Sequence, residues 1–161
     1  MSTIADIAAS EYRRRAAKAD QAVADRSVRP EETNTLLRPW KALAILAGAD
    51  LPGLAEDMAD LRETHIRPIA GISRDVTEAE ARALLAAEIQ MGRPGQPRVN
   101  WKTALAAALR QAWDALPEGR ILPGSADDRK AAYFRDLRAL TEHFGLFVDL
   151  PPRTNKMEKA A

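Results

Sequence analysis

The only imidazoles in the 161-residue chain are His65 and His143, so acid–base catalysis or nitrogen ligation of a metal would have to start from them. His65 continues the apolar series Leu51, Leu54, Met58 and Leu61, which favours a half-buried, hydrogen-bonded ring. His143 follows Glu142 near the end of a helical pattern, where a cation suits the negative helix terminus. No HExxH occurs, and no helix face carries two histidines. The chain has no cysteine, which excludes disulfides, thiolate ligands and a cysteine nucleophile. Zinc needs three or four nitrogen, sulfur or carboxylate ligands. The expectation is therefore no metal and no cofactor.

Carboxylates are the next chemical candidates. Glu56, Asp60 and Glu63 stand at i, i+4 and i+7 and share a helix face, a pattern that serves magnesium binding or proton transfer. That face lies opposite the leucines, so a solvated surface is the first reading and a metal-dependent enzyme a third. Asp127 and Asp128 follow Ser125 and suit a helix start. There is no GxSxG, no GxxxxGK[ST] and no GxGxxG. Gly92-Arg93-Pro94-Gly95 contains glycine but follows no strand, and reads as a linker. No catalytic residue is assigned.

Basic side chains are the remaining option. Arg13, Arg14 and Arg15 are consecutive, and on a helix they fan over about 200°. Arg14 and Lys18 have carboxylates at neighbouring turns in Glu11 and Asp25. Arg93, Arg98, Lys102 and Arg110 run from the glycine-rich stretch into the next helix. Arg13, Arg14, Lys18, Arg93, Arg98, Lys102 and Arg110 are thus the candidate contacts for an acidic partner or nucleic acid. The charge is uneven. Residues 1–40 hold 7 basic and 6 acidic side chains, residues 41–90 hold 5 and 9, and residues 91–161 hold 12 and 8. A mildly basic C-terminal part is a weak attractant for nucleic acid.

These residues need helices to position them, and the composition supplies helices. Alanine is abundant and loses no side-chain entropy in a helix. A first helix is predicted from Thr3 to Arg26, with Ile4, Ile7, Ala8, Tyr12, Ala16, Ala19 and Val23 in its stripe. Pro30 opens a second, with Glu31 and Glu32 on its positive end and Leu36, Trp40, Leu43 and Ala47 on one face. Pro39 is expected to kink or split it near Leu37–Arg38. The short turn at 27–30 makes this pair an antiparallel hairpin, unlike a helix-turn-helix. A third helix covers Leu51 to His65, and Arg67 to Ser73 form a loop. Thr77-Glu78-Ala79-Glu80 is a capping box for a fourth helix, which buries Leu84, Leu85 and Ile89. Asn100 caps a fifth helix with Trp101, Leu105, Leu109 and Trp113 inward. Ser125 caps a sixth, which buries Tyr133, Phe134, Leu137, Leu140 and Phe144 and stops at Gly145. Leu146-Phe147-Val148 either dock on the core or form a short strand.

The fold class expected is all-α, a compact bundle of about six helices. Residues 1–91 form a four-helix unit, 98–150 a helix pair packed on it, and 151–161 a flexible tail. Trp40, Trp101 and Trp113 are expected as core anchors; an exposed one would mark an interface. The N-terminus has its charges after the mildly apolar stretch, the reverse of a secretory leader, and no run spans a bilayer, so the cytoplasm is the expected location.

Glu11-Tyr12-Arg13-Arg14-Arg15, Ala22-Val23-Ala24, and Glu31 to Trp40 with its Leu37-Arg38-Pro39-Trp40 ending resemble the opening of small uncharacterised proteins encoded by phages and prophages. The likeness is confined to the first 40 residues. It implies a phage accessory protein acting inside the bacterial cell and carries no active site with it. The leading expectation is a non-enzymatic protein that modulates a host or phage macromolecular complex, such as an inhibitor of nucleic-acid processing. The alternative is a nucleic-acid-binding regulator with a basic helical surface. A protein is the first expected partner and nucleic acid the second. No membrane partner is expected, and a homo-oligomer stays open.

Overall fold

In the computed structural model, residues 1–65 and 76–152 are described, and the loop expected at Arg67–Ser73 and the tail from 153 onward lie outside them. The described residues form six α-helices and no strand: α1 (Ile4–Ala24), α2 (Pro30–Leu46), α3 (Leu54–His65), α4 (Glu78–Met91), α5 (Trp101–Asp114) and α6 (Ala126–His143). The all-α expectation is met. No described helix is long and apolar enough to cross a membrane. The chain divides into two compact units, Met1–Trp101 and Lys102–Ala161.

Local chemistry fixes the ends of the helices. Thr3 Oγ1 accepts from the Asp6 amide at 3.1 Å while Asp6 accepts from the Thr3 amide at 3.0 Å, a reciprocal cap that starts α1. Thr77 and Ser125 cap α4 and α6 in the same sense, each accepting from the amide three residues on. At the end of α1 the Ser27 amide bonds Ala22 O and the Arg26 amide bonds Val23 O. This closing geometry needs a left-handed residue, and Arg26 supplies it with φ 58°. Gly145 plays the same part after α6, as expected, with φ 64°.

In the N-terminal unit α2 is central, packed against both α1 and α4, and α3 packs on α4. Pro39, expected to kink or split α2, does not split it, and the helix runs as one element from Pro30 to Leu46. Proline in a helix interior costs about 3 kcal/mol. The burial of Pro39 and Trp40 and of Ala42 through Ile45 offsets that cost. The helix enters the core only from Arg38 onward, so its first two turns stay exposed or half-exposed. Leu36, expected on the core face, is accordingly 65% exposed. Likewise α4 buries Ala81, Leu85 and Ala86, while Leu84, a further 100° round the helix from Leu85, is exposed. The segment that follows α4 is tied back to that helix. The Val99 amide donates to Gln90 O at 2.9 Å, and the Trp101 amide donates to Gln90 Oε1 at 3.1 Å.

In the C-terminal unit, Leu105, Leu109 and Trp113 of α5 and Phe134, Leu137 and Leu140 of α6 are buried. The Trp113 and Phe134 rings meet at 5.4 Å between centroids. Trp113 Nε1 donates to Pro151 O at 3.0 Å, which returns the chain after α6 to α5. All three tryptophans are buried.

Candidate binding groove

α2 and α4 run antiparallel, and each reaches the other's C-terminal end with an arginine. Arg38 of α2 donates to Ile89 O at 3.2 Å and to Pro97 O at 2.6 Å. Arg82 of α4 donates to Ile45 O at 3.0 Å and to Ala49 O at 2.9 Å. Carbonyls at a helix C-terminus carry partial negative charge, which suits a guanidinium, and Ile45 O takes the Arg82 bond in addition to the Gly48 amide at 3.1 Å. Gly92 makes room for Arg38. Its φ is 74°, and a Cβ there would stand 2.4 Å from Arg38 Nη1.

This pairing shapes a groove of about 490 Å³ beside Arg38 in the N-terminal unit. Lys41, Arg93, Asn34 and Gln96 line it together with Asp57, Glu88 and the apolar Leu85 and Ile89. Gln96 organises the loop wall, since its Oε1 accepts from the Arg93 amide at 3.0 Å and its Nε2 faces Asn34 Oδ1 at 3.4 Å. Arg38 is 7% exposed and its Nε has no hydrogen-bond partner. Among the described residues its partners are neutral carbonyls.

The structure distributes the sequence-derived basic residues differently. Arg14 and Arg15 both bond the buried Glu11, at 2.9 Å and 2.6 Å. The Arg15 guanidinium also lies 3.8 Å from the centre of the Trp40 ring. Arg13 Nε donates to Ala9 O at 3.3 Å, and Lys18 is exposed. Arg14 is exposed and held in an ion pair with Glu11, the neighbouring-turn carboxylate its spacing predicts. Arg93 is the one candidate that lines the groove. Arg98 is exposed in the same unit, and Lys102 and Arg110 are exposed on α5 in the other. Arg38, Lys41 and Gln96 were missed. Arg38 and Lys41 are basic like the candidates, but they lie in an apolar helix pattern, and only the pairing of α2 with α4 brings them beside Arg93.

The other chemical candidates stay apart. Glu56, Asp60 and Glu63 are all exposed, and among the described residues no group of three histidines, cysteines or carboxylates is placed to hold a metal ion. The His65 side chain lies outside the described residues. His143 is exposed, with its ring edge-on to Phe144 at 4.9 Å. Asp6 is held below its ordinary pKa chiefly by the Thr3 hydroxyl and then by the Thr3 amide. Burial, with the nearby charge of Asp20, raises that of Tyr12.

Past the end of α6 the chain is neither strand nor fully docked. Leu146 and Val148 are half-buried, while Phe147 between them is 89% exposed. The chain matches no known family model, no curated protein and no solved structure.

Proposed function

We propose that this chain is a non-enzymatic accessory protein that binds and modulates a macromolecular complex, with a protein as its direct partner. The observation that carries this reading is Phe147, a large aromatic ring standing almost wholly in water. Exposed aromatic rings lose the most by staying hydrated and recur as anchors at protein interfaces. Leu122, in the same unit, is also exposed. The N-terminal resemblance to phage and prophage proteins supports a host or phage complex as the target, with inhibition of nucleic-acid processing as one form of modulation.

The test is affinity capture from bacterial lysate with wild type and Phe147→Ser. The reading predicts a stoichiometric protein partner that the variant loses while its melting temperature is unchanged. Equal recovery of the same partner by both would refute the role of Phe147.

A second reading is a nucleic-acid-binding regulator. It is supported by the exposure of Arg93, Arg98, Lys102 and Arg110. It predicts a DNA or RNA gel shift that weakens with salt and with charge reversal at these positions. No shift at low salt would discard it.

A further inference from the structure

We propose that the groove beside Arg38 is a binding site for carboxylate side chains presented by an acidic peptide segment. The inference rests on the reading of the chain as a protein-binding accessory and names the chemistry of one contact. It starts from a buried cation. Arg38 is enclosed, bonds only the carbonyls of Ile89 and Pro97 among the described residues, and has an unpartnered Nε. A buried charge is unfavourable unless an opposite charge compensates it. No ion pair within 4.0 Å is formed by Arg38, Lys41 or Arg93 with another described residue. All three line one groove. Arg38 supplies positive potential from below. Lys41 and Arg93 offer ammonium and guanidinium donors, and the Asn34 amide adds a neutral donor.

The same groove selects against nucleic acid. Asp57 and Glu88 also line it. A continuous phosphate backbone would set its charges against those two carboxylates. A peptide places single carboxylates at intervals, and its backbone amides can donate to Asp57 and Glu88. A mixed rim therefore fits an acidic peptide better than a polyanion.

The experiment titrates the full chain with a capped peptide of alternating aspartate and glycine and follows the arginine Nε–H signals by NMR. The same peptide with asparagine, inorganic phosphate and a single-stranded oligonucleotide are the comparison arms. Saturable shifts of the Arg38 and Arg93 signals with the aspartate peptide alone are expected. They should weaken at least tenfold in Lys41→Gln/Arg93→Glu, a variant that leaves the carbonyl bonds of Arg38 in place. Absent shifts, equal shifts with the asparagine peptide, or tighter binding of phosphate or the oligonucleotide at these residues would overturn the proposal. Phe147-dependent capture reads the accessory function separately. A failed titration beside successful capture removes the groove alone, and failure of both removes the partner reading as well.

Discussion

Arg38 and Arg82 each cap the helix that carries the other. Arg38, from the middle of α2, holds Ile89 O near the end of α4, and Arg82, from the start of α4, holds Ile45 O near the end of α2. An antiparallel pair places each helix's C-terminus beside the body of its neighbour, and a long guanidinium spans the gap. The exchange fixes the α2–α4 geometry and so the groove beside it.

The arginine caps carry a measurable share of stability. Arg82→Met removes two hydrogen bonds from a charged donor to carbonyls, which contribute about 1.5–3 kcal/mol each, and the Glu78 ion pair, whose exposed carboxylate makes it worth little. Urea unfolding should show a loss of roughly 2–3 kcal/mol for the variant, discounted for the part-exposed site. A loss below about 0.5 kcal/mol, the range of ordinary surface changes, would leave Arg82 as surface decoration.

Gly92→Ala meets two obstacles. The left-handed φ strains any side chain, and the new Cβ collides with Arg38 Nη1. Gly48 has φ 87° but open space around it, so Gly48→Ala reads a left-handed backbone cost without a collision, roughly 1–2 kcal/mol. Gly92→Ala should cost more than Gly48→Ala by urea unfolding, and the excess should shrink when Arg38→Met is added. Equal costs for the two glycines would mean that Arg38 moves aside freely.

Arg26 is a non-glycine residue at positive φ. The left-handed conformation costs an L-residue roughly 1–2 kcal/mol. Arg26→Gly should therefore raise the melting temperature while the circular-dichroism spectrum stays helical. A lower melting temperature would show that the arginine side chain contributes more than the backbone strain removes.

Asp6 links α1 to pH. Its folded pKa is depressed below the ordinary 3.8 by the Thr3 hydroxyl and amide. A depressed carboxylate contributes stability that is fully present above the unfolded pKa and is lost as pH falls through the folded one. Asp6→Asn should melt below wild type at neutral pH, and the gap should close in strong acid. A gap independent of pH would put the effect elsewhere than in the carboxylate charge.

Helix ends were legible because capping is local. Thr77 and Ser125 as starts and Gly145 as a stop all follow from a few neighbouring residues. The buried tryptophans followed from periodicity. What periodicity could not supply was depth. Leu36 and Leu84 have the spacing of core residues, yet one lies in turns that precede the packed zone and the other stands off the contact line. Polar residues buried for geometric reasons, Arg38 and Glu11, are invisible to an apolar pattern. The groove was the least legible feature. Arg93 was singled out for its charge, but Arg38 and Lys41 join it only through contacts some fifty residues away in sequence.

Hydrogen exchange on the chain, free and with its captured partner, tests the binding account at its centre. The account predicts slowed exchange at residues 146–150 around Phe147 on complex formation. Unchanged exchange there, with a bound partner present in equal amount, contradicts it.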